Sequence, residues 1–262
     1  MRVAIIIPAR YQSSRFPGKP LASLRGATGL ARTLLSRTID VAQAIGAAGR
    51  VFVATDDARI AAAAEAASIH AVMTPASCLN GTERCQAAVE AARIEADIIV
   101  NLQGDAPLTP TRAIDALIAE MAADPNVRVA TPMIRCSPET VERLRADEVR
   151  GTVGGTTVVP DGAGDALYFS KRVLPYGGGS ADCPVFLHLG LYAYRRNALE
   201  HYAATEPSAI EHAEGLEQLR FLVDGMRLRM VEIAEPAGGL WEVNNPGDVP
   251  IVESALAARG IA

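Results

Sequence analysis

Short apolar runs alternate with longer stretches of helical period through the first half of the chain. Val3–Ile7 reads as a strand. Gly29–Gly46 places Leu30, Leu34, Leu35, Ile39 and Val41 near a helical period. Val51–Ala54 is a second strand, Asp57–Ala67 an alanine-rich helix and His70–Met73 a third strand. Thr82–Ala96 is helical, Ile98–Leu102 is a fourth strand, and Pro110–Ala123 is the next helix. This βαβα rhythm predicts a mostly parallel, helix-covered sheet whose ligands lie off the carboxyl ends of its strands. The second half changes character. Val127–Ile134, Gly151–Val159, Ala166–Ser170, Val185–Arg195 and Leu228–Ile233 read as strands. Ala213–Asp224 reads as a helix stopped by Gly225, and Pro246–Ala258 as a C-terminal helix. The Gly-rich stretch Tyr176–Ser180 reads as a mobile loop. No repeat, linker or sharp domain boundary is visible, so the chain is expected to be one domain with halves 1–125 and 126–262.

The first strand runs into a loop of unusual chemistry, in the stretch IIIPARYQSSRFPGKP. Arg10, Arg15 and Lys19 supply positive charge and Ser13 and Ser14 supply hydroxyls. Pro8, Pro17, Gly18 and Pro20 keep the backbone out of helix. A basic, small-residue loop at the end of a strand suits a polyphosphate, because guanidinium forks and backbone N–H groups match phosphate oxygens. The fourth strand delivers Asp105 in VNLQGDAPL. A carboxylate facing a triphosphate loop is where Mg²⁺ is expected, although a turn aspartate after Gly104 reads the same way. At a strand-to-helix turn stand Asn80-Gly81-Thr82-Glu83-Arg84. Their amides could meet a phosphate or a base carbonyl, and Thr82 is a candidate N-cap.

Composition narrows the classes. With 262 residues, 49% of them hydrophobic, the chain has ample material for a core. A net charge of -5 and only 5% aromatic residues give no reason to expect nucleic-acid binding or attachment to a membrane surface. No apolar run approaches the roughly 20 residues of a membrane span, and the apolar start flows directly into the basic loop, unlike a signal peptide. Cys78, Cys85, Cys136 and Cys183 form no C-x-x-C pair and read as reduced thiols in a cytoplasmic protein.

PARYQSSRFPGKPL resembles the signature of the CMP-KDO synthetases, the 3-deoxy-manno-octulosonate cytidylyltransferases, and the similarity extends over nearly the whole length. The resemblance implies a nucleotide-diphospho-sugar transferase-like α/β fold, Rossmann-like, with a second mixed β lobe. It implies a homodimer, with the strand-rich region 151–170 a candidate interface. It implies transfer of CMP from CTP to a small acidic acceptor with Mg²⁺ as cofactor. Arg10, Arg15 and Lys19 would hold the β- and γ-phosphates, and Asp105 would bind the metal. Pro8, Ala9, Ser13, Ser14, Asn80, Gly81, Arg84 and Gln103 complete the implied nucleotide site. In DALYFSKRVLPY, HLGLYAYRRNAL and EGLEQLRFLVDG, Lys171, His188, Tyr192, Glu217 and Gln218 fall where the family contacts its acid.

Departures from the family pattern bear on the acceptor. Cys78 and Asn80 replace a histidine and a serine, and Lys171 replaces arginine. In EVNNPGDV, Asn244 stands where the family places its second metal carboxylate, so it is carried as a metal ligand without charge. Asp248 matches a helix-start aspartate that caps. The expected acceptor is KDO or a KDO-like sugar acid. Because a phosphonate oxygen is already ionised, the lost carboxylate raises the alternative of a phosphonate such as phosphonoformate. A nucleotide-binding protein without turnover is a further alternative.

Overall fold

β1, Val3–Ala9, is buried at every position, as a central parallel strand covered on both faces must be. In the computed structural model, which describes every residue except 14, 47, 48, 237, 238, 240 and 241, the chain divides into two units. The first comprises Met1–Asp115 and Pro236–Ala262, and the second Ala116–Glu235. The C-terminal segment thus belongs with the first half of the chain.

In the first unit β1 is followed by β2 (Ser23–Arg25), β3 (Ala31–Thr33), α1 (Leu34–Gln43), β4 (Arg50–Thr55) and α2 (Ala58–Ala66). Then come β5 (His70–Met73), α3 (Gly81–Ala91), β6 (Ile98–Leu102) and the start of α4 (Thr111–Ala123). β5, β4, β1 and β6 lie side by side and all pair in parallel. β2 and β3 form a separate antiparallel pair. That pair shortens the helix expected over 29–46: Ala31–Thr33 is strand, and the Thr33 side chain then caps α1 by accepting from the Ser36 amide. α3 likewise begins at Gly81 and ends at Ala91. Its cap is Asn80, whose Oδ1 accepts from the Glu83 amide at 2.9 Å, and not Thr82, which is buried.

The second unit continues α4 into β7 (Val129–Arg135), α5 (Pro138–Val149), β8 (Thr156–Pro160), β9 (Ala166–Ser170), β10 (Phe186–His188) and β11 (Leu191–Tyr194). α6 (Arg196–Ala204), α7 (Ala209–Glu214), α8 (Leu219–Val223) and β12 (Arg229–Ile233) complete it. β7 is its centre, antiparallel to β10 and β11 and parallel to β12, while β8 joins β10 to β9. Three expectations are corrected here. The strand over 185–195 is two strands, interrupted at Leu189-Gly190. The helix over 213–224 is two short helices, because Gly215 takes φ +60° and ends α7. The strand over 151–159 starts only at Thr156, after Gly151 at φ +72°.

α9 (Val249–Ala258) returns to the first unit and buries Val252 and Leu256 in a cluster with Leu24, Leu34, Leu108 and Val243. Phe16 packs on the same cluster. One small core therefore anchors both the basic loop and the segment around Asn244.

Candidate active site

The basic loop is closed by its own backbone. The Gly18 amide donates to the Tyr11 carbonyl at 2.8 Å, with Gly18 at φ +73° and its α-carbon against the Tyr11 ring. A side chain there would be strained as well as crowded. The Arg59 guanidinium stacks 3.4 Å over the other partner of this contact, the Tyr11 ring. The Ser13 hydroxyl accepts from the Phe16 amide at 3.4 Å. Ser14 lies outside the described residues.

These constraints turn the loop toward an open cleft of about 250 Å³. Pro8, Ala9, Arg10, Ser13, Arg15 and Lys19 line one side, and Asn80, Gly81, Arg84, Gln103 and Asp105 the other. The cleft thus gathers the described members of the sequence-derived nucleotide set at the carboxyl ends of β1 and β6. Lys19 Nζ lies 2.5 Å from Asp105 Oδ2, both side chains mostly covered. Gly81 leaves room for Gln103: a β-carbon at 81 would stand 3.0 Å from Gln103 Nε2 and 3.2 Å from Asn101 Nδ2. A β-carbon on Gly104 would stand 2.8 Å from the Pro8 carbonyl oxygen, so the two strand ends approach only because 104 is glycine.

Arg84 reaches the cleft wall with its guanidinium already committed. Nη1 donates to Thr74 Oγ1 at 2.7 Å and Nη2 to Asp56 Oδ2 at 3.2 Å, with the residue buried. It forms a rigid wall of the cleft, held by Thr74 and Asp56, two partners that sequence reasoning did not single out. Burial pushes the Cys78 thiol up, so this position offers no thiolate to the cleft.

The segment 242–248 is docked beside Asp105 by one backbone bond. The Val243 amide donates to the Asp105 carbonyl at 3.0 Å, and the Val243 side chain is fully buried. Asn244 Oδ1 accepts from Arg15 Nη2 at 3.3 Å. Asp248 accepts from the Asn244 and Asn245 amides at 2.8 and 2.7 Å, closing a capping box with Asn245 over the turn Pro246–Asp248, while its side chain makes no cap on α9 itself. Glu242, absent from the sequence-derived site, is held above the ordinary carboxyl range by burial and then by the negative charge of Asp105. A hydrogen bond with Asn244 and the charges of Lys19 and Arg15 act in the opposite sense. The one signal in the sequence is that in Glu242-Val243-Asn244 an apolar residue, buried here, separates two polar ones.

In the second unit His188, Tyr192 and Gln218 come together. Thr131 Oγ1 donates to the Leu191 carbonyl at 2.7 Å and therefore accepts from His188 Nε2, 2.8 Å away. That fixes the tautomer with Nδ1 as acceptor, facing Gln218 Nε2 at 3.5 Å, and Gln218 Oε1 accepts from the Tyr192 hydroxyl at 3.2 Å. Desolvation lowers the imidazole to about 3, so His188 is neutral at physiological pH. Lys171 is exposed, its ammonium so near Gly215 that a β-carbon there would lie 2.9 Å from Nζ. Its backbone amide donates to Glu214. The Glu217 carbonyl accepts from the Tyr202 hydroxyl at 3.2 Å.

With this geometry in place, the likenesses of the chain are informative. Residues 4–228 match the family model described as cytidylyltransferase. The chain is 45% identical over 261 residues to the 3-deoxy-manno-octulosonate cytidylyltransferase of Maricaulis maris, covering 99% of each. It is 34% identical to the mitochondrial enzyme of that name from Arabidopsis thaliana, over the whole of this chain and 85% of the other. A solved structure of CMP:2-keto-3-deoxy-manno-octonic acid synthetase complexed with CTP superposes with a TM-score of 0.85 at 33% identity, covering 99% of this chain and all of that one. The chain belongs to the 3-deoxy-manno-octulosonate cytidylyltransferase family.

Proposed function

We propose that this protein transfers CMP from CTP to 3-deoxy-manno-octulosonate, releasing pyrophosphate. One observation carries the reading: Arg10, Arg15, Lys19 and Asp105 converge in a single cleft with Gly81 set against Gln103. The relatives that the chain matches end to end are named for this reaction. The anomeric hydroxyl oxygen of the sugar acid forms a bond to the α-phosphorus and loses its proton to water. The bond from that phosphorus to the bridging oxygen breaks, and pyrophosphate leaves. Arg10, Arg15 and Lys19 hold the β- and γ-phosphates and neutralise the charge that accumulates on the leaving group. Gly81, Gln103 and the fixed Arg84 shape a pocket for a pyrimidine. Lys171, His188, Tyr192, Glu217 and Gln218 take the sugar acid, with neutral His188 serving as a hydrogen-bonding group. The phosphonate acceptor suggested by Asn244 finds no counterpart among these relatives.

The donor set also suits Mg²⁺. Asp105 offers a hard carboxylate and Asn244 an amide oxygen, as fits an ion that takes one or two protein oxygens beside phosphate and water. Among the described residues no group of three or more His, Cys, Asp or Glu could hold a metal without substrate. When bound, the ion would screen the α-phosphate from the incoming anion.

The proposal includes a homodimer joined through residues 151–170, where Val153 and Leu167 are exposed; light scattering on the eluted protein would test it. It includes work in the cytoplasm, in keeping with four free cysteines. No helix among the described residues is long and apolar enough to cross a membrane. The activity is tested by coupled pyrophosphate release. Release should require both CTP and 3-deoxy-manno-octulosonate. Release that ignores the sugar acid, or none from folded protein, would refute the reading.

A further inference from the structure

The resemblance read from the sequence implies a carboxylate at the position of Asn244, and this chain has none there. We infer that Glu242 supplies it: the charge stands two residues earlier in the chain and still enters the same cation site beside Asp105. The inference rests on the cytidylyl-transfer reading above.

Three features place Glu242 there. The Val243 amide is fixed on the Asp105 carbonyl at 3.0 Å, so residues 242 and 244 flank Asp105. Val243 is fully buried among Leu24, Leu34 and Leu256. The Asn244 side chain meets Arg15 at 3.3 Å, and its hydrogen bond with Glu242 brings the two side chains to the same side of Val243. Finally, Glu242 interacts electrostatically with Asp105, Lys19 and Arg15 and shares a hydrogen bond with Asn244.

That last bond explains why the two replacements belong together. An ionised carboxylate only accepts hydrogen bonds. Asn244 can donate from Nδ2 to Glu242 while its Oδ1 accepts from Arg15. An aspartate at 244 could not donate, and it would add a third negative charge to Asp105 and Glu242. Glutamate at 242 and asparagine at 244 are thus a matched pair that keeps two carboxylates at the site and orients the relocated one. The residue reaches a hard divalent cation with one methylene more than aspartate, which offsets its different origin on the backbone.

The test uses Mn²⁺ as probe, read by water-proton relaxation on the full-length protein with and without CTP, beside steady-state turnover. Glu242→Gln is nearly isosteric, and a melting curve checks that it folds. It should weaken Mn²⁺ binding about 10-fold or more, the scale for groups that tune a metal site. Adding Asn244→Asp to Glu242→Gln should restore most of the lost affinity, whereas Asn244→Asp alone should not improve on wild type. Mn²⁺ affinity unchanged in Glu242→Gln, or a loss that Asn244→Asp does not repair, would overturn the assignment. The two readings separate cleanly. Wild-type turnover with Mn²⁺ binding indifferent to Glu242 removes the ligand assignment alone. Absent turnover with Mn²⁺ binding that depends on Glu242 removes the transfer reading and leaves the ligand in place.

Discussion

The Lys19 ammonium lies 2.5 Å from the Asp105 carboxylate, across the cleft between the loop after β1 and the end of β6. Each is the group that the other's ligand would displace: a phosphate competes with Asp105 for Lys19, and a cation competes with Lys19 for Asp105. The pair keeps both charges compensated while the cleft holds no substrate, so neither pays the cost of an isolated covered charge. On the proposed reaction, binding of a metal–triphosphate would exchange this one contact for two.

Lys19→Ala should therefore lower kcat/KM by about 10²-fold or more, the usual scale for losing a group that stabilises transition-state charge. The fold should survive, since the loop is closed by Gly18 and Tyr11 and anchored by Phe16, none of which needs the ammonium. Near-full activity in a folded variant would show that the triphosphate lies elsewhere.

Asp105→Ala should abolish turnover at every Mg²⁺ concentration, a loss of about 10²-fold or more. CTP binding measured without metal should hold or tighten, because Lys19 is released from its partner. A variant rescued by raising Mg²⁺ would mean that other groups carry the cation.

Gly81→Ala should raise KM for CTP by about 10-fold, the lower range for one misplaced methyl in a fitted pocket. The added carbon would crowd Gln103 and Asn101 at 3.0 and 3.2 Å. Melting should change little, because the strain falls on a cleft side chain. A full-strength enzyme with unaltered KM would place the base away from Gly81.

His188 gives a prediction with a definite sign. In the folded protein its imidazole titrates near 3, and in the unfolded chain near its ordinary value of 6.5. Between those values the unfolded chain binds the extra proton, so this residue's share of stability is full above about pH 6.5 and is lost as pH falls toward 3. Urea unfolding of wild type and His188→Gln at several pH values isolates that share. The wild type should lose stability more steeply on acidification below pH 6.5. Parallel curves would show that His188 is protonated while the protein is folded.

The centre of the parallel half was legible because both faces of its strands are covered: Ile98–Leu102 is an apolar run, buried at every position, with the bounds read from sequence. The helix Pro138–Val149 went unread although Ser137 and Pro138 mark its start, because only Thr140, Val141 and Leu144 are buried on an otherwise polar surface. Gly215 was invisible as a helix end, since its left-handed φ follows from a turn that also seats Lys171. In the site, residues carried by the loop and strand ends were found by their chemistry. Thr131, Asp56 and Thr74 were missed because each acts on another side chain, His188 or Arg84, that is distant in sequence. Glu242 was missed for a different reason: a lone carboxylate in EVNNP carries no mark of packing beside Asp105, from which it is far removed in sequence.

The most direct measurement is the ³¹P NMR spectrum of the purified protein with CTP, Mg²⁺ and 3-deoxy-manno-octulosonate. The β and γ resonances of the nucleotide should give way to pyrophosphate while a single new phosphodiester resonance grows in step with it. A folded protein that forms no phosphodiester, or one that forms a CMP adduct with phosphonoformate and none with the sugar acid, would contradict the account.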